Sequence, residues 1–292
     1  MIEQLFNVVA PVFISIALGW GWAKAGRAYE TGLVSSLVMT IGAPCLVFST
    51  LSSLTIPFHL IGQMGSAALV VIGLSAVVGS IALQIMGFPK RAFLPPIMFA
   101  NIGNMGLPLC LFAFGKPGLT LAIVVFAAVS VTQFTVGAWL YSNEANAGAL
   151  LKMPIIYAVF LSLIVLVSGV KPPPWVARTT ELLGGFTIPM MLLTLGVSLA
   201  QLRVENIKRA LTLSLLRLGI GFLTGLLVAS MFQLPWPARG VLILQSSMPA
   251  AVFNYLLAHR YDCYANETAG VVVISTVLAL VMLPLLLRFL TP

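Results

Sequence analysis

The sequence predicts an all-α polytopic membrane protein with ten transmembrane helices, arranged as two halves of five with opposite orientation. Three observations predict it: an apolar composition, prolines that recur at a nearly constant spacing, and polar breaks within two apolar stretches. The chain has 292 residues, of which 60% are hydrophobic and only 8% are charged. Because about a quarter of the residues in a soluble domain are charged, this composition indicates a protein that lies in a bilayer.

Ten stretches are long enough to cross a membrane, which requires about 20 apolar residues. The first stretch follows Glu3 and has neither a basic cluster nor a small-residue cleavage motif, so we interpret it as a span and not as a signal peptide. The predicted spans are residues 4–23, 32–54, 60–86, 91–114, 118–141, 153–170, 175–199, 207–232, 238–258 and 268–290.

The basic residues predict the orientation of these spans. A net charge of +8 suggests nucleic acid as a partner of a soluble protein, but here the basic residues are scattered over short loops, so no nucleic-acid partner is expected. One face has an excess of basic residues, which marks the cytoplasmic side. The sequence thus predicts a multi-pass protein of the cell (inner or plasma) membrane with both termini outside the cytoplasm. The richer face has Lys24, Arg27, Lys90, Arg91, Lys152, Arg203, Lys208, Arg209 and Arg260, and the other has Lys116, Lys171, Arg178, Arg239 and Arg288.

Proline positions indicate an internal repeat. Four prolines of the first half have counterparts 141 to 146 residues later in the second half. Because five spans is an odd number, a second copy of five enters the membrane from the opposite face, which is a known transporter architecture. We therefore expect residues 1–146 and 147–292 to form two inverted repeats. The pairs are Pro11 with Pro154, Pro44 with Pro189, Pro89 with Pro235, and Pro108 with Pro249.

Two apolar stretches contain polar and helix-breaking residues near their middle, at positions 101–108 and 245–249. Proline lacks an N–H group and interrupts a helix, and broken backbone at membrane depth persists only where protein or a polar cavity surrounds it. The alternative is an ordinary proline kink that neighbouring side chains compensate. The residues predicted to form helix breaks, or crossovers, are Gly106, Pro108, Pro249, Pro44 and Pro189.

The same two segments predict a solute site. Asparagine and glutamine side chains both donate and accept hydrogen bonds, and serine hydroxyls add further groups. The N-terminus of a half-helix favours an anion, whereas exposed carbonyls can hold a cation. The predicted substrate-binding residues are Asn101, Gly103, Asn104, Gln245, Ser246, Ser247 and Arg217.

Arg217 lies inside the eighth predicted span, eight residues past Arg209 and therefore about 12 Å deeper. A cation at that depth needs a partner or must reach the interface, so a structural arginine and an anion-binding arginine remain alternatives. All seven acidic residues fall in loops or at span ends. The absence of acidic residues within the predicted spans favours a negatively charged solute, such as a carboxylate.

No cofactor, metal site or catalytic residue is expected. Cys45, Cys110 and Cys263 lack the spacing of metal ligands, and His59 and His259 both lie at predicted span ends, which disfavours a haem in the membrane. An enzyme would need a nucleophile–base pair or a metal cluster, and the sequence offers neither.

The segment Asn101-Ile-Gly-Asn-Met-Gly-Leu-Pro-Leu109 resembles the auxin efflux carrier family, which includes plant PIN proteins and bacterial malonate or malate permeases. The stretches Ile41-Gly-Ala-Pro44 and Ser247-Met-Pro-Ala250 resemble other recurring motifs of that family. The resemblance covers essentially the whole chain.

This resemblance implies a fold similar to bile-acid sodium symporters and NhaA. It implies a scaffold of spans 1, 2, 6 and 7, a transport unit of spans 3–5 and 8–10, homodimers, and elevator-like movement of the transport unit. Asn101, Asn104 and Pro108 would then lie at one crossover and Pro249 at the other. Gln245 stands in the stretch where the bile-acid branch has an acidic sodium ligand.

Three functions remain open from the sequence. The first is a secondary carrier that moves a small organic anion by alternating access. The second is a sodium-coupled symporter with sodium at the unwound carbonyls. The third is a membrane receptor or enzyme that uses the same helices for another purpose.

Overall fold

The described part of the chain is all-helical in a computed structural model, which covers residues 2–52, 57–142, 154–168 and 171–290. Lys152 and the predicted boundary between the halves lie outside these residues, as do the predicted span ends at 53–54, 153 and 169–170. The helices are α1 Ile2–Lys24, α2 Thr31–Ser52, α3 Phe58–Ile85, α4 Lys90–Met98, α5 Ile102–Ser142, α6 Pro154–Ser168, α7 Pro174–Gln201, α8 Ile207–Met231, α9 Ala238–Ser246, α10 Val252–Arg260 and α11 Ala265–Leu290.

Six helices among the described residues are long and apolar enough to cross a membrane, namely α2, α3, α5, α7, α8 and α11. Many of their apolar side chains are exposed at the protein surface, including Ile81, Leu223 and Val281. Such surfaces are stable when lipid covers them. These features confirm the prediction of a polytopic, all-helical membrane protein.

Helix α5 folds back on itself at Gly115. That glycine has a φ of 66° and a ψ of −162°, in a region that favours glycine. A side-chain carbon added at Gly118 would lie 2.8 Å from the carbonyl oxygen of Cys110, so the residues after the turn lie against those before it. The helix therefore consists of a first arm (residues 102–114) and a second arm (residues 116–142).

The prolines at positions 44 and 108 lie inside continuous helices, which differs from the prediction that they break them. Each follows a π turn, at Val38–Gly42 and Ile102–Gly106, in which an N–H group donates to the carbonyl five residues earlier. Because this turn shifts the hydrogen-bond pattern just before the proline, the helix continues despite the missing N–H group. Gly106 is part of the second π turn. Helix α7 is interrupted by a turn at Phe186, so Pro189 lies in the first turn of its second segment, Thr187–Gln201, where proline is tolerated.

The helices pack as two groups. In the first group, α1 packs against α7, and α2 packs against α6 and α7. In the second group, α8 packs against α3, α4, α9 and α11, while α3 and α9 also pack against α5. Contacts of α1 with α5, and of α7 with the π turn at Ile102–Gly106, join the two groups.

The pair α1 and α7 crosses at unusually close range because glycine stands at both contact points. An added side-chain carbon at Gly19 would lie 2.1 Å from the carbonyl oxygen of Leu193, and one at Gly196 would lie 2.0 Å from that of Ile16. Both obstacles are backbone atoms, which cannot rotate away. Small residues allow this approach between membrane helices, so the two glycines set the separation of α1 and α7.

Replacing Gly19 with alanine should therefore destabilise the protein, because the methyl group forces α1 away from α7. Overpacking of this kind costs about 1–3 kcal/mol. Thermal unfolding in detergent should give a lower melting temperature for Gly19→Ala. Gly21→Ala, in the same helix with nothing within 4 Å of the new carbon, should unfold as the wild type does. Equal melting temperatures for the two variants would contradict this packing.

Candidate functional site

Two helix breaks lie side by side in the second helix group. Helix α4 ends at Met98 and the first arm of α5 begins at Ile102, while α9 ends at Ser246 and α10 begins at Val252. The first break thus precedes Asn101, several residues before the predicted position at Pro108. The second break contains Pro249.

The two breaks are joined by backbone hydrogen bonds. Ala100 and Ala250 form an antiparallel bridge. The N–H of Asn101 donates to the carbonyl of Pro249 at 2.7 Å, and the N–H of Ala251 donates to the carbonyl of Phe99 at 3.1 Å. Each break therefore supplies the partners that the other has lost. This pairing satisfies backbone groups that would otherwise be unpaired at membrane depth.

Three buried side chains complete the hydrogen bonding around the breaks. The Ser275 hydroxyl accepts from the N–H of Ala250 at 3.1 Å. The Asn254 amide donates to the Phe99 carbonyl at 3.0 Å and accepts from the Gln133 amide at 3.4 Å. Neither Asn254 nor Gln133 was among the residues that the sequence predicted for the site. Their signal was an uncharged amide inside a predicted span, without a neighbouring glycine or proline to draw attention to it.

A small cavity of about 20 Å³ lies where the N-terminal turns of α5 and α10 meet. We call it the amide cavity. Its lining includes the predicted residues Asn101, Gly103 and Asn104, together with Gln133 and Phe253. Met39 of α2 and Met191 of α7 also line it, so it lies where the two helix groups meet.

A neighbouring cleft, also of about 20 Å³, extends the amide cavity along the boundary between the helix groups. Asn104, Met39, Met191 and Phe253 line both spaces. Residues of α2, α7 and α10 line the cleft. A solute in the amide cavity would therefore touch both groups of helices.

The side chain of Asn101 is buried, and its Nδ2 has no hydrogen-bond partner among the described residues. Asn104 is partly exposed and lines both spaces. A buried amide without a partner costs about 1–3 kcal/mol, which a bound acceptor group would offset. Asn101 is thus suited to bind an oxygen atom of a ligand.

Arg217 donates hydrogen bonds to other backbone atoms at the same two breaks. Its side chain is 2% exposed. The guanidinium donates from Nε to the Met248 carbonyl at 3.1 Å, from Nη2 to the Ser246 carbonyl at 2.6 Å, and from Nη1 to the Ile97 carbonyl. These carbonyls belong to the C-terminal ends of α4 and α9 and to the break that follows α9. No described acidic side chain forms a salt bridge with Arg217.

The other predicted residues of the second segment also lie away from the amide cavity. Gln245 is fully buried and, with Arg217 and Ser246, lines a second space of about 20 Å³, which we call the arginine cavity. This space shares Ala100 and Ile102 with the amide cavity. Neither polar atom of the Gln245 amide has a hydrogen-bond partner among the described residues. The hydroxyls of Ser246 and Ser247 both donate to the Ile243 carbonyl of α9. Six of the seven predicted binding residues therefore separate into two sets, and Ser247 lines neither cavity. Asn101, Gly103 and Asn104 line the amide cavity, whereas Gln245, Ser246 and Arg217 line the arginine cavity.

Comparison with known proteins identifies the class of protein to which this site belongs. Residues 147–287 match a family described as membrane transport protein. An uncharacterized transporter of Methanocaldococcus jannaschii is 22% identical over 297 residues, which cover 96% of each protein. An uncharacterized transporter of Methanothermobacter thermautotrophicus is 26% identical over 195 residues, or 63% of each protein.

The chain is a membrane transporter that is similar to the auxin efflux carriers. This confirms the resemblance noted in its sequence motifs. The family match covers the second half of the transporter, whereas the motif at Asn101–Leu109 lies in the first half.

Replacing Asn254 with leucine should destabilise the transporter, because the Phe99 carbonyl and the Gln133 amide then lose a buried partner. Each unpaired group costs about 1–3 kcal/mol. The melting temperature of purified Asn254→Leu should fall accordingly. Asn266→Leu is the control, since Asn266 is exposed and donates only to Glu205 at the surface. A fall that is no larger in Asn254→Leu than in the control would rule out this role of Asn254.

Proposed function

We propose that this transporter is a secondary-active carrier of a small organic anion, most simply a carboxylate, which it moves by alternating access. The observation that supports this most strongly is the amide cavity, where two helix N-termini meet beside the unpaired amide of Asn101. Half-helix N-termini near the membrane midplane hold anionic substrate groups in other transporters. Asn101, Gly103 and Asn104 would contact the carboxylate, with Gln133 at the edge of the site.

The helix ends also suggest the charge of the solute. Each helix N-terminus is equivalent to about +0.5 elementary charge, so α5 and α10 together supply about +1. Among the described residues, neither basic nor acidic side chains line the amide cavity. A solute with a single negative charge matches this balance better than a dianion does.

We further propose that the chain forms ten spans as a 5+5 inverted repeat, with crossovers in spans four and nine. Helix α4 with the first arm of α5 would form span four, and α9 with α10 would form span nine. The antiparallel pairing of Ala100 with Ala250 supports a relation between the two breaks. The second arm of α5 would then be span five.

The two helix groups support a division into a scaffold and a transport unit. The first group contains spans 1, 2, 6 and 7 of the proposed arrangement, and the second contains spans 3–5 and 8–10. The amide cavity and the cleft beside it lie between the two helix groups. Movement of the second group against the first, as in an elevator, would carry the bound solute from one face of the membrane to the other.

We also propose that the carrier lies in the cell membrane with both termini outside the cytoplasm. We propose further that it forms the homodimer that the family resemblance implies. The distribution of basic residues supports the orientation.

Replacing Asn104 with alanine should reduce transport at least about tenfold, because each tenfold corresponds to about 1.4 kcal/mol, in the range of one hydrogen bond to a charged group. Uptake or efflux by the purified protein in liposomes measures this. Gln63→Ala is the control, since Gln63 is an exposed amide on α3 and its loss should leave transport unchanged. Asn104→Ala should insert and purify normally, and full transport by this variant would exclude Asn104 from the site.

Carboxylates should raise the melting temperature of the purified protein, because a ligand stabilises the state that it binds. From the charge balance, monocarboxylates should act at lower concentration than dicarboxylates of similar size. The increase should be lost in Asn104→Ala and retained in Gln63→Ala. If amines or neutral sugars stabilise the protein and carboxylates do not, the proposed solute class is wrong.

A further inference from the structure

We propose that Arg217 is a tethered cation: its guanidinium occupies the place at the paired helix breaks where a coupling ion such as sodium would otherwise bind. The structural part of this inference rests on the contacts of Arg217 alone. Only its consequence for ion coupling rests on the proposed carrier function.

The partners of Arg217 are those of a bound metal cation. Sodium in transporters with broken helices is coordinated by unwound backbone carbonyls and by half-helix C-termini. Arg217 binds three such carbonyls, one at Ile97 and two at Ser246 and Met248. They come from two different breaks, so the guanidinium links α4 to α9.

The charges at this position balance without any other ion. The C-terminus of each helix is equivalent to about −0.5 elementary charge, so α4 and α9 together contribute about −1. The single positive charge of Arg217 compensates for it. With the guanidinium in place, the backbone carbonyls of Ile97, Ser246 and Met248 already have a donor, and the negative charge of the helix C-termini, which would attract sodium, is compensated.

This charge balance also implies that Arg217 does not take part in binding the solute. Its positive charge is matched by the helix C-termini, so little remains to attract an anion into the amide cavity. The amide cavity has its own positive potential from the N-termini of α5 and α10. Arg217 is therefore a positioning residue, which holds the breaks in place while other groups bind the solute.

Removing the side chain should convert the arginine cavity into a site for a free cation. In Arg217→Ala, three carbonyls lose their donors, and the neighbouring Gln245 amide oxygen offers a fourth oxygen ligand. Guanidinium ion fits the vacated space and can donate to the same carbonyls. A small cation bound there would restore the charge balance.

The test compares melting temperatures of purified wild type, Arg217→Ala and Arg288→Ala in sodium, potassium and choline chloride. A titration with millimolar guanidinium, below denaturing concentrations, completes each series. Arg288 is exposed near the end of α11 and serves as the matched control. We expect the wild type to be indifferent to the choice of cation. Arg217→Ala should unfold at a lower temperature and recover in a saturable way with guanidinium, whereas Arg288→Ala should show no saturable recovery.

Several results would overturn the proposal. A higher melting temperature of the wild type in sodium than in potassium or choline would show that sodium still binds, so that Arg217 does not take its place. This measurement needs no variant. An Arg217→Ala protein as stable as the wild type would show that the guanidinium does not hold the breaks, as would equal effects of guanidinium on both variants. If Arg217→Ala does not fold, Arg217→Lys is measured in its place. Because lysine keeps the positive charge but loses the planar guanidinium, this variant should fold but have a lower melting temperature than the wild type. A melting temperature of Arg217→Lys equal to that of the wild type would show that the guanidinium is not needed.

The transport consequence is tested separately. Wild-type transport should run equally in sodium and in choline, and Arg217→Ala should regain transport with guanidinium. Because the melting experiments use no solute, they hold even if the transported molecule is not a carboxylate. Failure of the carboxylate screen with success of the guanidinium titration would reject the solute and retain the tethered cation.

Discussion

The pairing of two broken helices through Ala100 and Ala250 is the interaction on which the rest of the site depends. Each break exposes backbone groups at a depth where water is scarce, and each unpaired group would cost several kcal/mol there. The hydrogen bonds between Asn101 and Pro249, and between Ala251 and Phe99, remove part of that cost. Because the breaks satisfy each other, they must remain together. The pairing therefore fixes where four helix ends lie.

This arrangement gathers helix ends of the same sign. The N-terminal turns of α5 and α10 line one cavity, and the C-terminal ends of α4 and α9 both bind Arg217. Like ends repel, so each pair requires a compensating charge. At the C-terminal ends that charge is a permanent part of the protein. At the N-terminal ends, no acidic side chain of the described residues lines the cavity, which is compatible with the proposed binding and release of an anion.

The polar side chains around the breaks divide their roles in the same way. Asn254, Gln133 and Ser275 bind one another or backbone groups, so their hydrogen bonds maintain the structure. Asn101 and Asn104 face the space between the two helix groups, where α2 and α7 also contribute. A ligand there contacts elements from both groups. Relative movement of the groups would thus change the surroundings of the ligand without altering the paired breaks.

The sequence by itself determined that the chain is a polytopic helical membrane protein, because the share of apolar residues decides this. The sequence also predicted one helix break in each of the segments 101–108 and 245–249. It placed the first break at Pro108, because the π turn that allows the helix to continue past this proline is not evident from the local sequence. Only the tertiary structure decided the partners of Arg217 and its separation from Asn101. Those partners are carbonyls at helix ends far apart in the chain, and they come together only when the two breaks pair.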